Sequence, residues 1–155
     1  GGLQFATASS IDRLRATGFR DEPVALAATD PAALWGAVLP WPPCAESTGV
    51  GPRREVGATV VVVRGEPWFH LSASGKAMTT FSPAVGADRA ALGAAVESLA
   101  ASHHLACGAF TIERVDGVSP GRSELAGALK AAGFAVDLRG VTYERPRSRA
   151  GAPAE

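Results

Sequence analysis

The sequence predicts an α+β fold with a curved, mostly antiparallel, barrel-like sheet and three or four short helices. Three observations lead to this fold class. Apolar residues occur in short, often alternating runs bounded by turn residues, which is typical of strands. Two longer stretches carry apolar residues at helical spacing. The strands come in runs broken by single helices, rather than in strict alternation with them.

The N-terminal part predicts a strand, a short helix and a buried strand. Residues 2–6 have the pattern of a strand, and residues 9–15 that of a helix with a serine N-cap. The short apolar run over 23–28 predicts the buried strand. Asp30 and the proline that follows it predict a one- or two-turn helix over 30–35, because aspartate is a good N-cap and proline is favoured at the first helical position.

After residue 35 the sequence predicts one long loop and then regular elements as far as residue 143. The prolines on both sides of Trp41 end regular structure, and the stretch that follows them as far as Gly57 is the longest loop. Residues 1–145 are expected to form one module, a fragment of a longer protein, and 146–155 a disordered tail rich in Arg, Pro, Ala, Gly and Ser. The other predicted elements are strands over 58–63, 68–71 and 76–81, a helix over 88–102, a strand over 110–115, a helix over 123–132 and a hairpin over 135–143.

Composition excludes several classes of protein. Fifteen Lys and Arg balance fifteen Asp and Glu, which argues against a uniformly basic nucleic-acid clamp. With 46% hydrophobic and 19% charged residues, the chain is not disordered as a whole. No apolar run approaches the length of a membrane span, and two cysteines are too few for a disulfide scaffold. We therefore expect a soluble, cytoplasmic protein with no membrane partner.

Motifs for enzymatic chemistry are weak. The Ser74-Gly75-Lys76 sequence lacks the earlier glycine and the following Ser or Thr of a phosphate-binding loop. The histidines and cysteines have no paired metal-ligand spacing, so no metal site is expected. Among the carboxylates, Asp30 and Glu113 are the candidates for general-base work. A helix cap explains Asp30 equally well, and Glu113 alternates outward on a predicted strand.

Three residues in and around the long loop form the predicted nucleic-acid contact: Trp41, Arg53 and Arg54. Arginine side chains pair with phosphates, and an aromatic ring offers a face on which a base stacks. Trp41 lies between prolines, so little entropy is lost in presenting its ring. The alternative is that Trp41 folds back as a lid on the core and the arginines belong to a solvated loop. Trp35 and Trp68 are expected to pack in the core.

Several segments together resemble the C-terminal region of the Lhr family, the large helicase-related proteins of bacteria. The most specific is WGAVLPWP, where Trp35 stands in place of the tyrosine usual in the family. Thr7-Ala8 likewise replaces the usual Leu-Pro, and the insertion after Trp41 is particular to this chain. The segments are GLQFA (2–6), RLR (13–15), LAATDPA (26–32), WGAVLPWP (35–42), GATVVVVRG (57–65), TTF (79–81), IERVDG (112–117), LAGALKAAGF (125–134) and LRGV (138–141).

The resemblance implies a tail module of a superfamily 2 ATP-dependent helicase. Its ATP and Mg²⁺ sites and winged-helix domains would lie upstream, with no cofactor in this fragment. The parent would act on DNA or an RNA:DNA hybrid, and the module would help to bind or position nucleic acid or mediate assembly. One alternative is part of a uracil-type DNA glycosylase site, with Asp30 or Glu113 as general base. The other is a structural domain for homo-oligomerisation. No catalytic residue carries over by motif.

Overall fold

A computed structural model describes residues 5–18, 21–44 and 51–144, which form an α+β fold with three α-helices. Residues 2–4 of the first predicted strand and the predicted tail over 146–155 lie outside the described ranges. The other two residues of that predicted strand, Phe5 and Ala6, belong to no strand. The helices are α1 (Ala8–Ala16), α2 (Arg89–Cys107) and α3 (Ala126–Ala131). The strands are β1 (Val24–Ala27), β2 (Thr59–Val63), β3 (Glu66–Leu71), β4 (Ala77–Thr80), β5 (Phe110–Ile112), β6 (Arg114–Val115), β7 (Ala135–Val136) and β8 (Val141–Tyr143).

The described strands form two open sheets. The larger sheet has the order β1-β2-β3-β4-β6, and the smaller one has the order β5-β8-β7. All pairings are antiparallel except that of β4 with β6, so the larger sheet is mixed. The mostly antiparallel α+β prediction is confirmed, whereas no closed barrel is found among the described strands and the barrel-like shape stays a prediction.

Two tight turns determine where the larger sheet folds back. Arg64 and Gly65 have φ values of 52° and 82°, the left-handed conformation that a two-residue hairpin turn needs between β2 and β3. Asp116 and Gly117 have φ values of 50° and 80° and turn the chain just after β6. Both sites pair a polar residue with glycine, which tolerates positive φ without steric cost.

Buried side chains lie on both faces of the larger sheet. Val61 belongs to the main core cluster together with Phe69 and Leu99, and its neighbour Val60 belongs to a second, smaller cluster with Trp35. Consecutive strand residues point to opposite faces, so β2 contributes to both clusters. Trp35 is buried and Trp68 is half-buried against the main core, which confirms that both pack.

Helix α2 was predicted over 88–102 and runs five residues further, to Cys107. Asp88 caps its start, since the carboxylate accepts a hydrogen bond from the Ala91 N–H. Its end comes at Gly108, whose φ of 78° leaves the helical region. Helix α3 is shorter than predicted because the residues before Ala126 form turns rather than helix.

The helix predicted over 30–35 is wrong. Residues 28–32 form turns, and the Asp30 carboxylate accepts a hydrogen bond from the Ala32 N–H at 2.8 Å. Aspartate followed by proline is as favourable in a turn as it is at the start of a helix. The chain then leaves helical geometry because Ala33 and Trp35 are drawn into the interior.

The single strand predicted over 110–115 is also wrong, because it divides at Glu113. The N–H groups of Glu113 and Arg114 both donate to the Lys76 carbonyl, so the chain bends away from β8 at this point. Gly140 lies against the break, where a side chain would overlap the Ile112 carbonyl oxygen. The two halves, β5 and β6, therefore join different sheets.

Candidate nucleic-acid interface

Trp41 lies on the face of the larger sheet that carries the smaller cluster. Its indole ring stacks on Phe81, with ring centroids 5.6 Å apart and planes 4° from parallel. It also meets the His70 ring edge to face at 5.4 Å. The side chain is half-buried and packs against the cluster around Trp35. The ring is thus fixed in place by aromatic contacts, with part of its surface still accessible.

The backbone around Trp41 explains this position. Just beyond the ring, Pro43 accepts a hydrogen bond from the Ser82 N–H at 2.9 Å, and Cys44 forms a bridge with Phe81. This short pairing holds the segment against the sheet. Gly36 has a φ of 74°, and a Cβ there would lie 2.8 Å from Trp41 Nε1. Only glycine fits under the indole ring in this conformation.

His70 connects the sheet to the long loop. It lies in β3, where its side chain is buried, and its Nε2 is 2.9 Å from the Arg53 carbonyl oxygen. The Arg53 N–H is 3.4 Å from the same nitrogen. Because a carbonyl oxygen can only accept, the shorter contact assigns the proton to Nε2, which donates to the carbonyl. Burial lowers the pKa of His70, although the hydrogen bond to Arg53 and the nearby Glu55 carboxylate raise it. The imidazole is therefore neutral near pH 7 and acts as a structural donor.

The two arginines of the loop have different roles. The Arg54 guanidinium donates to the Thr29 carbonyl at 3.0 Å and so ties the loop to the turn after β1. The Arg53 side chain is exposed, while its backbone is held by His70. Within the described ranges, neither guanidinium lies within 4.0 Å of a carboxylate. The positive charge of Arg53 thus faces solvent.

His70 contacts two of the three predicted residues. Trp41 touches its ring, and the main-chain carbonyl of Arg53 accepts a hydrogen bond from it, so Trp41 and the Arg53 backbone are held at one position on the sheet. Sequence reasoning missed His70. The signal was an imidazole between Phe69 and Leu71, because a polar residue within an apolar strand needs a buried partner. Whether these residues bind nucleic acid stays a prediction.

The two carboxylates considered for catalysis have separate partners. Asp30 is half-buried and accepts from the Ala32 N–H, as described for the turn. Glu113 pairs with Lys76, with 3.0 Å between Oε1 and Nζ. Asp30 and Glu113 share no hydrogen bond, so they form no acid–base couple in this arrangement.

Two properties of the described residues bear on other classes of site. Over residues 5–18, 21–44 and 51–144, no three His, Cys, Asp or Glu side chains converge on a position where a metal ion could sit. Among the helices described, none combines the length and apolar character needed to span a bilayer.

Two known proteins resemble this chain, one over 91% of its length and the other over 50%. No protein-family model matches it. The Lhr helicase/probable uracil glycosylase of Mycolicibacterium smegmatis is 35% identical over 155 residues, which cover 91% of this chain. The Lhr helicase/uracil glycosylase of Escherichia coli is 48% identical over 84 residues, or 50% of the chain. The matched regions make up 10% and 5% of these relatives. The chain therefore corresponds to a small segment of much larger proteins.

Proposed function

Because the chain is, by this homology, a segment of the Lhr helicase family, we propose that it is a C-terminal accessory module of a DNA-repair helicase. In this role it helps to bind or position a nucleic-acid strand. The observation that carries the proposal is that His70 contacts both the Trp41 ring and the backbone of Arg53, whose side chain is exposed. An immobilised aromatic ring and an exposed arginine on neighbouring segments are the kinds of group that hold single strands.

The geometry suits a weak, supporting contact. Stacking of one base on an aromatic ring is worth about 1–3 kcal/mol. Because Phe81 and His70 already hold the Trp41 ring, little conformational entropy remains to be lost when a base stacks on it. With a formal net charge of zero, the chain neutralises few phosphates, so its own affinity is low and depends little on salt.

The rest of the activity belongs to the parent polypeptide in this proposal. The motor that binds ATP and Mg²⁺ and the winged-helix domains lie upstream, and the parent acts in the cytoplasm on DNA or an RNA:DNA hybrid. The chain contributes no nucleotide site, because it lacks a phosphate-binding loop. We expect the isolated chain to show no DNA-stimulated ATP hydrolysis, and measurable turnover would contradict this division of labour.

The direct test compares two double variants of the full-length parent that remove equal charge. Arg53→Ala/Arg54→Ala alters the proposed contact, and Arg89→Ala/Arg114→Ala removes two exposed arginines elsewhere. Binding of labelled oligo(dT) is measured by fluorescence anisotropy over a salt series. The first variant should bind more weakly and lower the salt slope by roughly 1–2, whereas the second should behave like wild type. Unchanged affinity of the first variant at low salt would contradict the proposal.

Trp41 needs a separate measurement, because it also packs. Trp41→Ala should weaken binding, and Trp41→Phe should restore most of it, since a phenyl ring also stacks. If Trp41→Ala lowers only the melting temperature and leaves affinity unchanged, the residue is structural and the lid alternative is correct.

The names of the relatives favour one second function, a part in base excision. Under that alternative, Asp30 or Glu113 supplies the general base. The contacts of Asp30 with Ala32 and of Glu113 with Lys76 each occupy one carboxylate oxygen, Oδ1 and Oε1 respectively. Asp30→Asn and Glu113→Gln in the full-length protein test it by a uracil-excision assay. Loss of excision with folding retained would favour the enzymatic role.

Homo-oligomerisation is the remaining alternative, and exposed apolar side chains support it. Val38 and Val56 are 77% and 85% exposed near the candidate interface. A self-association surface would cover them. Sedimentation equilibrium of the wild type and a Val38→Ser/Val56→Ser variant distinguishes this role: a monomeric wild type excludes it.

A further inference from the structure

A second site lies where β4 and β6 run parallel. A cavity of about 490 Å³ opens between these strands, the start of α2 and the turns that precede α3. Leu92, Val115 and Leu125 form apolar walls, and Asp116, Arg122 and Glu124 provide its charged groups. None of its lining residues belongs to the Trp41–His70 contact. Its size is that of a small-molecule site.

Asp116 is held so that one carboxylate oxygen stays available. Oδ1 accepts a hydrogen bond from the Thr80 N–H at 2.7 Å, and the Asp116 N–H donates to the Met78 carbonyl at 2.9 Å. The left-handed φ of 50° fixes the direction of the side chain from a tight turn. In the part of the chain that is described, Oδ2 has no hydrogen-bond donor.

The hydrogen bonding of the cavity wall is incomplete at a second atom. Thr80 is only 8% exposed and lines the cavity, yet its Oγ1 has no hydrogen-bond partner among the described residues. Buried hydroxyl groups almost always have one. The Thr80 hydroxyl can donate a single hydrogen bond, and Asp116 is the carboxylate beside it, so the Asp116 and Thr80 oxygens together can still accept a donor supplied from the cavity.

The charges of the lining favour a cation. Two carboxylates, Asp116 and Glu124, and one guanidinium, Arg122, line the cavity, and none of the three forms an ion pair within 4.0 Å among the described residues. Burial raises the pKa of Asp116, and the Glu124 charge adds a smaller increase, whereas the hydrogen bond from the Thr80 N–H and the neighbouring Thr80 hydroxyl lower it. A carboxylate without a counterion in a mostly apolar cavity is the feature that a positive ligand compensates.

We propose that this cavity binds a small organic amine, with its apolar body against the leucine and valine walls and its ammonium group on Asp116. An ammonium group has three N–H donors, so it can supply both the missing charge and the missing hydrogen bonds. An anionic ligand would meet two carboxylates. A neutral apolar ligand would supply no donor to the Asp116 carboxylate.

The test uses benzylamine and its neutral analogue benzyl alcohol as probes. Each is titrated into the 155-residue chain, and amide chemical shifts are followed by NMR. Benzylamine should shift Thr80, Leu92 and Leu125 and bind at least about tenfold more tightly than benzyl alcohol, because only the amine makes a charge-assisted hydrogen bond. Equal affinities, shifts elsewhere, or no binding of benzylamine would overturn the proposal.

Two variants locate the amine. Asp116→Asn removes the charge but keeps the acceptor for Thr80, and asparagine tolerates the left-handed turn. It should weaken benzylamine binding at least about tenfold and leave benzyl alcohol unchanged. The control Glu113→Gln removes a carboxylate outside the cavity and should have no effect. Retained benzylamine affinity in Asp116→Asn would overturn the proposal, and if that variant fails to fold, the ratio of the two probes on the wild type decides.

Discussion

The two faces of the larger sheet are covered by different kinds of structure. On one face, Val61 and Phe69 share a core cluster with Leu99 of α2. On the other face, the irregular segment between β1 and β2 brings Trp35 to Val60 and, further along, places Trp41 on Phe81. The first face is closed by a regular helix, and the second by turns and prolines.

The difference separates stability from recognition within one sheet. The helix-covered face buries aliphatic side chains of many elements and carries most of the core. The loop-covered face has only a small apolar cluster, and it uses glycine, proline and one histidine to hold its aromatic residues. Loops on a rigid scaffold are where binding residues concentrate, because their side chains need not all be buried.

The largest effect is expected on the helix-covered face. Leu99→Ala should lower the free energy of unfolding by about 2–5 kcal/mol, since Leu99 is fully buried in the main cluster. Urea denaturation followed by far-UV circular dichroism measures it. A loss below about 1 kcal/mol would mean that the cluster rearranges to fill the cavity, and the contrast between the faces would weaken.

An intermediate effect is expected at Gly36 on the loop-covered face. Gly36→Ala should destabilise the fold by about 1–2 kcal/mol because of its left-handed φ, and the added methyl group should displace the Trp41 ring. Thermal melts and the tryptophan emission spectrum report the two effects. Gly93→Ala in α2, where a Cβ meets no atom within 4 Å, is the matched control and should stabilise by up to about 1 kcal/mol. Destabilisation by both substitutions would contradict the explanation that the loss in Gly36→Ala comes from the left-handed φ of Gly36 and its contact with Trp41.

The smallest effect is a pH dependence to which each face contributes one histidine. Burial lowers the pKa of His70 and of His103, which contacts Thr59 Oγ1 through Nδ1 at 3.2 Å. The unfolded chain therefore binds more protons than the folded one just below the ordinary histidine pKa of about 6.5. Stability should be full above that pH and fall as the solution is acidified through the window below it.

Single variants show how much of this pH dependence each of the two histidines contributes. His70→Gln and His103→Gln should each flatten the fall in melting temperature between about pH 7 and pH 5.5, the range in which histidine titrates. An unchanged slope in both variants would show that the buried imidazoles do not control it. A change in only one would place the effect on a single face.

Local signals in the sequence were sufficient for α2 and for the β2–β3 hairpin. The helical spacing of Leu92, Val96 and Leu99 predicts α2, and Arg64 with Gly65 predicts the turn of the hairpin. The error over 30–35 arose because aspartate before proline is equally compatible with a helix and a turn, and burial of Trp35 decides between them. The parallel pairing of β4 with β6 left no local signal, because it depends on residues far apart in the chain.

The candidate site shows the same limit. Trp41, Arg53 and Arg54 were identifiable by residue type and by their position in or beside the longest loop. His70, which contacts Trp41 and the Arg53 backbone, is in an apolar strand where a polar ring indicates a buried partner but not which residue the partner is. A hydrogen bond between residues distant in sequence is a tertiary property, so composition and spacing alone do not predict it.

The shortness of β6 has a consequence for self-assembly of the larger sheet. A long, flat outer strand invites pairing with strands of other molecules, and this is how many proteins begin to form fibrils. Here the outer strand has two residues, exposes a charged side chain at Arg114 and turns away at once through Asp116. Few backbone groups are left to pair with a strand of another molecule, so this edge of the sheet is protected against intermolecular strand pairing.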